Sequence, residues 1–337
     1  MVSADFNRDG IADLAVGDEL GCDVQVLLGV DGGAFQPVTP FALPDCSRLW
    51  LAAGDLNGDG AADLAVATYQ GSSDAVSVLL NDRNWPTTGF AAQVPYTVGS
   101  CPYAVVLGDF DGDGKPDLAV SRCGPYVDVL LNQGGGAFPS PALTPLYPVG
   151  GFPESAAVGD FNRDGRPDLA VPSESGALVS VLLNSGNWPD AGFSPYQPYP
   201  VGNQPFAVAV ADFNGDGWPD LAVANDTDGT VSLLLNLGNG TFAAQRVFSV
   251  GGGPYSVVAG DFNADGKPDL AVANSLDNTL GVLMNVDGGA FAPEVLYGVG
   301  ARPLSVTVAD LNGDGALDLV TADSTGNTVS VLLGGCQ

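Results

Sequence analysis

Histidine is absent from the 337 residues. That excludes imidazole zinc sites and every serine or cysteine nucleophile that takes its activation from a histidine. Basic residues are scarce, ten Lys and Arg against 39 Asp and Glu, for a formal charge of −29. So acidic a chain repels phosphate backbones and anionic lipid, so nucleic acid is excluded as a partner and cations are the natural counterpart. No apolar run reaches the roughly 18 residues of a spanning helix. The N-terminal MVSADFNRDG has neither a basic region nor an apolar core. The expectation is a soluble chain with no membrane insertion and no visible export signal.

What the chain has is repetition. DFNRDGIADLAVG, opening at Asp5, returns as DLNGDGAADLAVA at Asp55, DFDGDGKPDLAVS at Asp109 and DFNRDGRPDLAVP at Asp160. Further copies are DFNGDGWPDLAVA at Asp212, DFNADGKPDLAVA at Asp261 and DLNGDGALDLVTA at Asp310. The period of about fifty residues belongs to repeat architectures. Each period reads as four strands: an apolar one before the acidic loop (103–109, 206–212), DLAV after it, VSVLL or a variant from Val76, Val179, Val231 or Val329, and a fourth after a Gly-x-Phe turn (242–251). Ala, Val and Leu run unbroken through the first three, as in sheets covered on both faces. Seven four-stranded antiparallel blades make an all-β, seven-bladed β-propeller, expected as one domain over 1–337. Only four residues precede Asp5 and only GGCQ follows the last VSVLL, so the seventh blade is expected to be short at its outer edge. An upstream segment would close it, or the edge stays open or pairs with another chain by self-association.

The acidic loops run over 5–13, 55–63, 109–117, 160–168, 212–220, 261–269 and 310–318. Numbered from the first aspartate, positions 1, 3, 5 and 9 carry side-chain oxygens, and position 7 would offer its carbonyl. The predicted ligand sets are Asp5, Asn7, Asp9, Ile11 and Asp13; Asp55, Asn57, Asp59, Ala61 and Asp63; Asp109, Asp111, Asp113, Lys115 and Asp117. They continue with Asp160, Asn162, Asp164, Arg166 and Asp168; Asp212, Asn214, Asp216, Trp218 and Asp220. The last two are Asp261, Asn263, Asp265, Lys267 and Asp269, and Asp310, Asn312, Asp314, Ala316 and Asp318. Oxygen donors at alternating positions of a tight loop converge on one point, as in the first half of an EF-hand loop, and oxygen-only ligation suits Ca2+. A turn alone needs no aspartate at position 9. Glycine at position 6 in every copy allows the positive φ that curls the backbone. The variable position 7 side chain is expected to face solvent. Asp111, the one carboxylate at position 3, makes the third loop the expected tightest site. About seven Ca2+, one per blade, would roughly halve the charge of −29.

The loop, the Gly-x-Phe turn (32–35, 135–138, 240–242, 288–291) and the VGxxP lead-in (98–102, 149–153, 201–205, 250–254, 299–303) resemble FG-GAP repeats, which build the integrin α-subunit propeller and bacterial secreted VCBS-type proteins. The resemblance covers essentially the whole chain. It implies structural calcium between the first and second strands on one face, and ligands on the opposite face. The lead-in ALPDCSRLW (42–50) departs from VGxxP and puts Trp50 where other copies have Ala or Ser, so that junction is expected to be rebuilt.

Alternating strand direction brings the entry to the first strand and the second hairpin to the face opposite calcium. Cys22–Cys46 and Cys101–Cys123 are therefore expected disulfides, implying an oxidising, extracellular or cell-surface location, with Cys336 left over. Arg48, Tyr69, Arg122 and Tyr126 collect on that face as candidate anchors. Trp85 and Trp188, in two NWP turns on the calcium face, are candidate sugar platforms, although capping an apolar edge is the commoner role of such residues. The reading is a secreted calcium-binding propeller for a protein or glycan ligand, without catalysis. Its alternatives are a structural subunit of an extracellular assembly and a polysaccharide lyase or hydrolase. The non-ligand acids, such as Glu154, Glu174 and Glu294, form no motif.

Overall fold

A computed structural model of the chain describes residues 1–38, 40–43, 48–69, 75–139 and 146–335. The fold is all-β, seven successive antiparallel sheets that are the blades of a β-propeller. Among the described residues the only helical element is the 3-10 turn Glu174–Gly176, and no helix is long and apolar enough to cross a membrane. The chain forms two compact units, Met1–Pro148 with Asn184–Ser194 and Leu311–Gly313, and Val149–Leu183 with Pro195–Asp310 and Asp314–Gln337. The strands of blades 1 to 3 lie in the first unit and those of blades 4 to 7 in the second.

Blade 5 shows the common plan. Pro205–Ala211 pairs with Asp220–Asn225, which pairs with Thr230–Leu234, which pairs with Arg246–Ser249. The second strand is wholly buried, as an Ala- and Val-rich strand packed on both faces requires. The first strands depart from the expected double burial, since Pro205–Ala211 leaves Phe206, Val210 and Ala211 partly exposed. Fourth strands supply one aromatic in a fixed register: Tyr96 opposite Val76, Tyr147 opposite Val127, Tyr199 opposite Val179, Phe248 opposite Val231 and Tyr297 opposite Leu280.

In blade 7 the strands Pro303–Ala309, Asp318–Asp323 and Thr328–Leu332 form a three-stranded sheet among the described residues, so the last strand is half-exposed where its counterparts are buried. Blade 1 adds Phe41–Ala42 beside its third strand. The second blade is rebuilt at its entry: Leu49–Gly54 pairs with Asp63–Thr68 without a break, whereas blades 3, 5, 6 and 7 shift register after their entry proline.

Candidate metal centres

Each acidic loop joins a first strand to a second. In the first, Asp5 Oδ2 accepts from the Gly10 N–H at 2.9 Å, Asn7 Oδ1 from the Asp9 N–H at 2.9 Å, and Asp9 Oδ1 from the Ile11 N–H at 2.9 Å. The same bonds recur in the fifth, from Gly217 to Asp212, Asp216 to Asn214 and Trp218 to Asp216. Short Asp and Asn side chains favour such bonds to their own backbone, so the loop winds around its own oxygens. Position 6 takes φ of 90° at Gly10, 89° at Gly217 and 85° at Gly315, the left-handed conformation expected of it.

Position 9 is where the loop meets the sheet. Asp13, Asp63, Asp117, Asp168, Asp220, Asp269 and Asp318 all have 0% exposure. Asp13 Oδ2 accepts from the Phe6 N–H at 2.8 Å and Oδ1 from the Gly29 N–H at 2.7 Å, tying loop, second strand and third strand together. Asp220 does the same with Phe213 and Asn236. Burial pushes the carboxyls of Asp13, Asp63 and Asp220 up to about 6 and that of Asp117 up to about 7, although main-chain N–H donors pull the other way.

The donors fit a hard cation. They are oxygens throughout, each with lone pairs beyond those used by the loop, and buried carboxylates gain most from a nearby positive charge. Basic side chains already sit on some: Arg83 lies 2.9 Å from Asp59, and Lys115 and Arg166 pair with Asp113 and Asp164. Among the described residues, Asp109, Asp111 and Asp117 are the one trio of acids whose oxygens come within 4.8 Å of one another, the third loop being the one with Asp at position 3. The position 7 side chains face solvent as expected at Lys115 and Arg166, whose side chains are 41% exposed, but not at Ala61. Ala61 is 1% exposed, Trp218 packs on the turn at Gly238, and Lys267 Nζ donates to the Val286 carbonyl at 2.6 Å.

Sequence reasoning missed the residue that joins the loops to their neighbours. Asn81, Asn132, Asn184, Asn236 and Asn285 end the third strands, and each sends Nδ2 to the carbonyl of position 2 in the preceding blade: Phe6, Leu56, Phe110, Phe161 and Phe213, at 2.8–2.9 Å. The recurring VLLN, LLLN and VLMN were its signal; blades 1 and 7 read VLLG instead. The position 2 ring also meets the phenylalanine after the third strand of the next blade edge to face, Phe6 with Phe90, Phe161 with Phe242 and Phe213 with Phe291. Thus each such loop is braced by the following blade.

Trp85 and Trp188 belong to this joint. Trp85 packs edge-on to Phe90 and Phe41, its Nε1–H donates to Asn81 Oδ1 at 3.1 Å, and an added Cβ at Gly89 would lie 2.5 Å from its ring. Trp188 repeats this with Phe193, Asn184 and Gly192. On the other face of the first unit, the Arg48 guanidinium carbon lies 5.4 Å from the centroid of Tyr103, and the Tyr69 ring is 6.1 Å from the same ring. Tyr103 was not singled out from the sequence. Cys101 and Cys123 form the expected disulfide beside it, with Cα atoms 5.0 Å apart. Cys46 and Cys336 lie outside the described residues, and with Cys46 the Cys22–Cys46 pairing. The Arg122 guanidinium carbon lies 5.2 Å from the Tyr126 ring centroid, and Arg122 pairs with buried Asp128 at 3.4 Å.

Blades of one plan, each with an oxygen-lined loop at the same corner, define an integrin-like repeat propeller. A family model for the FG-GAP-like repeat matches residues 5–66, 55–120, 109–171, 212–272 and 261–321. The chain belongs to that family. It is 38% identical to integrin alpha-7 of Homo sapiens over 101 residues, which cover 26% of this chain and 8% of that protein. It is also 28% identical to phosphatidylinositol-glycan-specific phospholipase D of Mus musculus over 181 residues, 43% of this chain and 20% of that protein. The chain thus spans a fifth or less of these relatives. A solved structure of a proposed 6-phosphogluconolactonase from Bacteroides fragilis superposes with a TM-score of 0.71 at 16% identity, covering 96% of this chain and 90% of that one, a likeness of fold alone.

Proposed function

We propose that the chain is a calcium-stabilised, non-enzymatic binding module working outside the cell or at its surface, with a protein or glycan ligand. The observation that carries this reading is the oxygen-only loop whose position 9 aspartate is buried at 0% exposure in every blade. In each loop positions 1, 3, 5 and 9 would hold the ion with side-chain oxygens and position 7 with its carbonyl. Calcium supplies positive charge there; the residues supply a braced site and carry its stabilisation to the next blade through Asn and Phe. Integrin alpha-7 similarity supports a surface-exposed binding role. The favoured ligand surface is the one around Tyr103, Arg48 and Tyr69, where an exposed guanidinium and two half-buried rings offer charge and flat apolar area.

Two measurements test this. At free calcium about tenfold above Kd, each site adds roughly 1.4 kcal/mol. Seven sites then rival the about 5–15 kcal/mol of a typical net stability. Melting should fall by tens of degrees in excess chelator and recover with calcium; an unchanged melting temperature removes the metal assignment. A protein and glycan array should give a calcium-dependent hit that Arg48→Ala or Tyr103→Ala abolishes. A hit untouched by both moves the ligand surface elsewhere, and turnover of an arrayed glycan makes the chain an enzyme.

A further inference from the structure

Position 4 of the acidic loop requires positive φ. Gly58, Gly112, Gly215 and Gly313 meet it with φ of 74–78°, yet Arg163 in the fourth loop adopts 55°. An arginine there is strained where glycine is not. Its side chain crosses to the fifth loop, where the guanidinium carbon stands 4.6 Å from the centroid of Trp218. An added Cβ at Gly217 would lie 2.6 Å from Arg163 Nη2, so the cation also rests on the position 6 backbone. The indole also packs against the turn at Gly238, where an added Cβ would lie 3.4 Å away. Trp218 is position 7 of its loop, and its main-chain N–H is already fixed to Asp216 Oδ1 at 2.9 Å. Arg8 reaches the second loop similarly, 3.9 Å from an added Cβ at Gly60, but the next residue, Ala61, offers no ring.

From this geometry we infer that Arg163 is a positioning residue for metal binding at the fifth loop, acting through Trp218 and coupling the fourth loop to the fifth. The inference rests on the calcium reading above. Stacking holds the residue whose carbonyl would face the ion, so ordering the fourth loop lowers the cost of ordering the fifth. The guanidinium adds a like charge near the cation, but it is exposed and screened by solvent and salt.

Terbium, a luminescent stand-in for calcium, tests it on the full chain. Emission excited through tryptophan and lost in Trp218→Phe isolates the fifth loop. Arg163→Gly places in the fourth loop the residue that four others carry, so the fold tolerates it. It should weaken the Trp218-dependent midpoint roughly two- to five-fold, the worth of one exposed cation–π contact. Arg163→Lys, which keeps the charge without the flat stack, should resemble Arg163→Gly. An unchanged or tighter midpoint in Arg163→Gly, or wild-type behaviour in Arg163→Lys, overturns the inference. So does calcium-dependent melting without Trp218-dependent emission. If neither emission nor calcium-dependent melting is seen, the metal reading itself fails.

Discussion

At the residue scale, the five asparagines at the third-strand ends are the most consequential side chains outside the loops. Asn236, 3% exposed, gives Nδ2 to Phe161 and Pro219 carbonyls at 2.9 and 3.0 Å and takes the Gly238 N–H on Oδ1 at 3.0 Å. Replacing it by Ala leaves these buried main-chain groups unpaired, at about 2–4 kcal/mol. Chemical denaturation of Asn236→Ala should show that loss with calcium present; a change within 0.5 kcal/mol, about what an ordinary surface substitution gives, would mean the tie is idle. The loop oxygens proposed as ligands were readable because a loop that holds an ion needs its donors at fixed spacing. The role of the asparagines was not, because VLLN marks the residue but says nothing of the carbonyl about 75 positions away that it bonds.

At the element scale, blade 7 is the least supported. Its last strand, Thr328–Leu332, has no outer partner among the described residues, and Gly334 stands where blades 2 to 6 have the asparagine. An added Cβ there would lie 2.2 Å from the Leu317 carbonyl, so the backbone itself has closed in. Hydrogen exchange should deprotect Thr328–Leu332 well before Thr230–Leu234; equal protection of the two strands would contradict this. The four-strand plan was legible because apolar runs and turn residues alternate in every period. The intact register of Leu49–Gly54, against the shifted entries of blades 3, 5, 6 and 7, was legible only as a missing VGxxP.

At the scale of the whole molecule, charge and metal set the pH response. In metal-free protein, burial raises the folded carboxyls of Asp13, Asp63, Asp220 and Asp117 from 3.8 to about 6 or 7. The folded state then binds more protons than the unfolded between about pH 4 and 7, so these groups' contribution is full below pH 4 and lost as pH rises through 7. Chelated protein should therefore melt higher at pH 5 than at pH 8, and calcium, which needs charged carboxylates, should reverse the order. A chelated protein that melts lower at pH 5 would contradict the buried-aspartate account.

The sequence by itself determined the repeat, the blade plan and the loop chemistry, because each is written within about fifty contiguous residues and local spacing dictates it. Tertiary structure alone decided that the tryptophans of the NWP turns pack into interblade joints, that Tyr103 gathers Arg48 and Tyr69, and that Arg163 reaches Trp218. The contacts of Trp85 with Phe6, of Trp188 with Phe110, of Tyr103 with Arg48 and Tyr69, and of Arg163 with Trp218 join residues from different repeats, and which side chains meet there depends on the packing of one blade against the next.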